Sequence, residues 1–128
     1  MSTSDNCLFH EAHLWCRPAD DGTLEVGISD YAQEKLGDIL YFDLPEIGAQ
    51  VERGASMGTV ESAKVVNDLI SPISGNVRAR NDSLEDRPDL ANSDPYGSGW
   101  LVRIQQASDN DTTDGLMNIN SYRAYLEG

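Results

Sequence analysis

Lys64 stands in the middle of VESAKVVNDL (60–69), in a chain with only two lysines, Lys35 and Lys64, against seven arginines. Arginine would serve equally well for surface charge. Lysine adds a primary amine that can be acylated. The chemistry open to Lys64 is therefore attachment of a carboxylic acid through an amide, with ordinary exposed charge as the plain alternative. A second set of reactive types lies upstream, at Cys7, His10, His13 and Cys16. Their spacing, C-x2-H-x2-H-x2-C, matches no zinc pattern. There is no CxxC redox pair, and two cysteines in a reducing compartment do not suggest a disulfide framework. Buried or idle thiols and no bound metal are expected.

The elements that must position Lys64 read as mostly β. LWCR (14–17), a turn at PADDG (18–22) and TLEVGIS (23–29) form a hairpin whose second strand alternates and is expected to be half-buried. SDYAQEKLG (29–37) changes period and predicts a short helix, with Ser29 or Asp30 as N-cap and Gly37 as stop. Lys35 falls in its last turn, where a cation suits the helix dipole, so it needs no further role. DILYFDLP (38–45), EIGAQVERG (46–54), ASMGTVESA (55–63), VVNDLISP (65–72) and ISGNVRARN (73–81) supply short strands and turns, which suggest a sandwich or barrel. NDSLEDRPDLANSDPYGSG (81–99) reads as a polar insertion with a helical turn after Ser83. WLVRIQ (100–105) is a last strand, and INSYRAYLEG (119–128) ends in a short helix.

Alternation within 60–70 creates a conflict. One continuous strand would put Val60, Ser62, Lys64, Val66, Asp68 and Ile70 on one face, mixing charged and apolar residues. A tight turn at Ala63–Lys64 repairs the pattern, yet no Gly, Pro or Asn supplies it. Such a disagreement between local propensity and pattern is expected at functional sites. Spacing alone leaves both readings of Lys64 open.

At 128 residues the chain fits one domain with a single core. Nine basic against 22 acidic residues give a net charge of −13. That surface repels nucleic acid and anionic membranes and favours partners with basic faces. No apolar run is long enough to span a bilayer. MSTSDNCLFHEAH has no signal-peptide pattern, so a cytoplasmic location is expected.

Three longer stretches carry more information: VGISDYAQEKLGDILYFDLPEIGAQVERG (26–54), TVESAKVVNDLISPISGNV (59–77) and SLEDRPDLANSDPYGSGWLVRI (83–104). In this order they resemble the H-protein family of the glycine cleavage system, which are lipoyl carriers. The resemblance implies a mainly β, biotinyl/lipoyl-carrier-type β-sandwich, a barrel-sandwich hybrid with short flanking helices. It implies a single lipoyl-carrier domain over 1–128, with 1–12 as N-terminal tail and 106–128 as loop and C-terminal helix. Lys64 matches the lysine of the family's Glu-Ser-x-Lys turn, so lipoate would be covalently bound there. Glu61 and Gly75 match positions tied to recognition by lipoylating enzymes, although Glu61 also reads as surface charge and Gly75 as a turn glycine.

The implied role is that of a carrier and not an enzyme. A lysine bearing lipoate is a swinging arm roughly 14 Å long. A PLP-dependent glycine decarboxylase would load an aminomethyl group on it. A tetrahydrofolate-dependent aminomethyltransferase would take the one-carbon unit, and dihydrolipoamide dehydrogenase would reoxidise the dithiol. A lipoate ligase or lipoyl transferase would attach the group. The chain is expected to act as a monomer that binds neither nucleic acid nor membrane.

Three departures from the family pattern stand out. His-Glu-Trp becomes His13-Leu14-Trp15, and Leu14 cannot accept a hydrogen bond from a loaded amine. His-Ala-Gln becomes Tyr31-Ala32-Gln33. The residues after the attachment site are Val65-Val66. These departures raise an alternative, an H-protein-like lipoate-binding protein carrying sulfur with a heterodisulfide-reductase-like complex. A further alternative is an unmodified, degenerate paralogue.

Overall fold

The computed structural model describes residues 7–19, 21–106 and 115–127. Two antiparallel sheets face each other. The larger has six strands in the order β1 (Leu8–Phe9), β2 (Leu14–Pro18), β3 (Leu24–Ile28), β9 (Val102–Gln106), β8 (Gly75–Arg80) and β5 (Gln50–Val51). The smaller runs β4 (Ile39–Asp43), β6 (Ser56–Ser62) and β7 (Val66–Ile70). Apolar residues from both sheets, among them Val26, Ile28, Val60, Leu69, Val77 and Ile104, fill the space between them, with Ile73 from the β7–β8 connection. The fold is the expected β-sandwich with short helices: α1 (Asp30–Leu36), α2 (Ser83–Asp86), α3 (Leu90–Ser93) and α4 (Ile119–Glu127).

Helix α1 has the predicted ends. Ser29 is the N-cap, its side chain accepting from Ala32 N, and Gly37 is the C-cap at φ 76°. The 14–29 hairpin is also present, with Trp15 opposite Gly27. Gly27 is needed there, because a Cβ would lie 2.5–2.9 Å from the Trp15 ring.

Two expectations are corrected. Strand β3 is buried along its whole length, not on one face. Alternation misled because Glu25 looks like an outward residue. The strand is central in its sheet, and Glu25 is held by Arg17 at 2.8 Å and Arg103 at 3.0 Å. Paired in this way, a carboxylate can stay out of water. The N-terminal stretch 1–12 is not all tail: 1–6 lie outside the described residues, but β1 pairs with β2 and Phe9 is fully buried. Phe9 stacks on Tyr122 of α4, ring centroids 4.3 Å apart, which docks the C-terminal helix against β1. The loop expected from 106 onward falls largely on residues 107–114, outside the described residues.

The pairings nest around Lys64. Strand β6 pairs with β7, and outside them β5 pairs with β8. The lysine therefore sits at the innermost chain reversal.

Candidate functional site

The reversal at Lys64 is built by Ser62. This serine is buried at the end of β6, with its backbone N–H donating to Val65 O at 2.9 Å. Its Oγ accepts from both Lys64 N and Val65 N at 3.2 Å. A side-chain oxygen thus satisfies the backbone donors that Gly or Asn chemistry would otherwise manage. Alanine 63 adds a tie to the α1–β4 loop, its N–H donating to Asp38 O at 3.0 Å. That loop is gripped in turn by Asn92 of α3, which accepts from Ile39 N at 3.0 Å and donates to Gly37 O at 2.8 Å.

The Lys64 side chain is exposed at the tip and its stem lies over Gly37. A Cβ on Gly37 would come within 3.2 Å of Lys64 Cε, so the glycine serves both the positive φ and the room above it. Lys35, by contrast, sits 5.4 Å from the Tyr31 ring on α1. Of the two amines, Lys64 is the one presented on a braced turn.

Beside the hairpin lies a cleft of about 140 Å³. Leu14, Ile28, Leu36, Val60 and Leu69 give it apolar walls. Its polar lining comes from His13, Tyr31, Lys35, Asn67 and Asp68. Leu14 is buried in the wall, so the departure from His-Glu-Trp puts an apolar side chain there, beside His13. Among the described lining residues, Asp68 is the one carboxylate, and its Oδ1 also accepts from Ser56 Oγ at 3.3 Å. His13 adopts φ 73° and meets Tyr122 Oη through Nδ1 at 2.7 Å. Desolvation, and secondarily His10, lower the pKa of His13 and favour its neutral form.

The other singled-out residues separate. Glu61 is exposed on β6, opposite Tyr41 and Val66. Gly75 lies in the other sheet at the start of β8. There a Cβ would collide with the Gln105 carbonyl oxygen and come within 2.8 Å of Ile104 Cγ2. Val65 and Val66 are exposed beside Lys64. Cys7 and Cys16 are both buried, in different apolar clusters. Burial pushes the Cys16 thiol up to about 12. No cluster of three or more His, Cys, Asp or Glu side chains suited to a metal occurs among the described residues. No described helix is long and apolar enough to cross a membrane. Sequence reasoning missed the Ser62 hydroxyl, Asn92 and Asp68. Only Ser62 carried a signal, as a serine in the first position of a four-residue turn.

A family model described as Glycine cleavage H-protein matches residues 7–128. A glycine cleavage system H protein of Pseudoalteromonas atlantica is 47% identical over 115 residues, 90% of this chain and 88% of that one. One from Listeria welshimeri is 42% identical over 127 residues, 99% of this chain and all of the relative. The crystal structure of a glycine cleavage system H protein from Mycobacterium marinum superposes with a TM-score of 0.87 at 35% identity, covering 97% of this chain and 98% of that one. With the Glu-Ser-x-Lys turn on its hairpin and a sandwich fold matched over nearly its full length, the chain belongs to the glycine cleavage H-protein family.

Proposed function

We propose that Lys64 carries lipoate in amide linkage and that the whole chain, 1–128, acts as one lipoyl-carrier domain of the glycine cleavage system. The observation that carries this reading is the exposed Lys64 amine on a turn braced by Ser62 and Asp38, with Gly37 leaving space along its stem. When bound, lipoate supplies a disulfide that can be opened by reduction to hold a one-carbon amine and closed again by oxidation.

The chain's own residues do the rest. The turn fixes where the arm starts, which gives partner active sites a high effective concentration of its far end. The apolar walls of the cleft exclude water, and Asp68 offers a carboxylate to a cationic group brought there. No catalytic constellation is needed, because chemistry belongs to the partners. The partners proposed are the PLP-dependent decarboxylase, the tetrahydrofolate-dependent aminomethyltransferase, dihydrolipoamide dehydrogenase and a ligase or lipoyl transferase, in the cytoplasm. The net charge of −13 favours partners with basic docking faces. Glu61, exposed three residues before Lys64, is the recognition contact for the lipoylating enzyme. Gly75 contributes to that recognition by keeping β8 in register against β9.

The sulfur-carrier and unmodified-paralogue alternatives gain no support from the three relatives reported above, each named for glycine cleavage. Lipoylated protein supplied to the glycine decarboxylase partner should support glycine-dependent exchange of carbon dioxide, and Lys64→Arg should not. Lipoylated wild type that fails to support exchange removes the glycine cleavage role.

A further inference from the structure

We propose that His13 is a fixed hydrogen-bond donor of the cleft, held as the Nε2–H tautomer by a chain running from Ser29 through Tyr122, and that it meets the sulfur end of an acyl arm on Lys64. The second half rests on the lipoyl-carrier reading. The first half follows from counting hydrogens.

Ser29 is fully buried, and its Oγ accepts from Ala32 N at 3.1 Å. It has one hydroxyl hydrogen to place. Among the described bonds the only other partner is Tyr122 Oη, at 2.8 Å. Ser29 therefore donates to Tyr122, and Tyr122 passes its own hydrogen to His13 Nδ1 at 2.7 Å. An imidazole nitrogen that accepts carries no hydrogen, so the neutral ring has its proton on Nε2. Burial favours the neutral ring and holds the Tyr122 proton, whose pKa is pushed up to about 12. Among the described bonds none involves Nε2.

Reach decides which part of the arm comes near. Asn67 to Leu69, which line the cleft, lie three to five residues beyond Lys64 along β7. At about 3.3 Å per strand residue that is roughly 10 to 17 Å. The amide of a lipoyl-lysine falls short of this, while the far end of an arm roughly 14 Å long covers the nearer half of it. A neutral N–H can donate to a sulfur lone pair, and a thiolate would accept the stronger, charge-assisted bond. Where Leu14 withdraws a polar group from the cleft wall, His13 next to it supplies one of opposite polarity to Asp68.

The tautomer can be read from long-range ¹⁵N–¹H spectra of the wild-type protein without any variant. The unmodified protein should show His13 with hydrogen on Nε2. In the lipoylated protein, reduction of the arm by a phosphine should shift the Nε2 resonance, and the same treatment of Lys64→Arg should not. Tyr122→Phe keeps the ring stacked on Phe9 and should lower the Nε2–H to Nδ1–H ratio about fivefold, the worth of one ordinary hydrogen bond. An Nδ1–H tautomer in wild type, or an Nε2 resonance indifferent to reduction of the arm, overturns the proposal. A Lys64 that takes no lipoyl group would instead overturn the carrier reading, while the tautomer of the unmodified protein still decides the donor claim.

Discussion

Replacing Ser62 with alanine removes the one side chain that shapes the attachment turn. The oxygen lost accepts from Lys64 N and Val65 N, each at 3.2 Å, and neither amide has another acceptor among the described bonds. Each bond is long and only part-buried, with Lys64 and Val65 themselves exposed, so water can replace part of it. The low half of the usual range, about 0.5–1 kcal/mol per bond, therefore applies. The backbone bond from Ser62 N to Val65 O survives, as does the tie from Ala63 N to Asp38 O. The expected cost is about 1–2 kcal/mol by urea unfolding. Because 1.4 kcal/mol is a factor of about ten, amide exchange at Lys64 and Val65 should accelerate by about that factor. Ala63 should stay protected. The ligase's kcat/KM for this acceptor should fall as the turn loses its fixed geometry. A stability change under about 0.3 kcal/mol, with exchange at both amides less than about twofold faster, would refute the claim that Ser62 builds the turn.

Three other outcomes follow from the geometry. Gly75→Ala forces a Cβ against the Gln105 carbonyl and Ile104. It should cost about 1–3 kcal/mol and lower Tm by several degrees, and an unchanged melting curve would contradict it. Glu25→Ala leaves Arg17 and Arg103 without their shared carboxylate. Both guanidiniums retain some solvent, so about 2 kcal/mol is expected in denaturant titration, and a change under about 0.5 kcal/mol would argue against the clamp. Cys16 and Tyr122 both have folded-state pKa values pushed up to about 12, chiefly by burial, from ordinary values of 9.0 and 10.0. The folded state then holds more protons than the unfolded one between those limits. Stability should be flat below pH 9 on their account and decline from there toward pH 12. Stability rising across that window would reverse the sign and sink the burial argument.

Much of this arrangement was legible in the sequence, for identifiable reasons. Helix α1 announced itself because its caps are local: Ser29 and Gly37 bracket a change of period. The hairpin of β2 and β3 was visible through its turn residues. The burial of β3 was not, because it depends on arginines from two other strands meeting Glu25. The turn at Lys64 showed itself as a conflict between alternation and propensity, and the serine that resolves it stood two residues before the lysine. Asn92 and Asp68 were invisible because their roles arise from distant packing. Asn92 grips a loop 55 residues earlier in the chain. Leu14 stands out in the sequence as a departure, but only the fold shows it inside the cleft wall beside His13.

The central claim is tested most directly by the site of acylation. The protein has two lysines, so co-expression with a lipoate ligase followed by intact-mass and fragment analysis gives an unambiguous answer. The account predicts one added lipoyl group, mapped to Lys64 and abolished in Lys64→Arg with the fold intact. A lipoyl group on Lys35, or none on Lys64 beside a ligase that modifies a control acceptor, would contradict it.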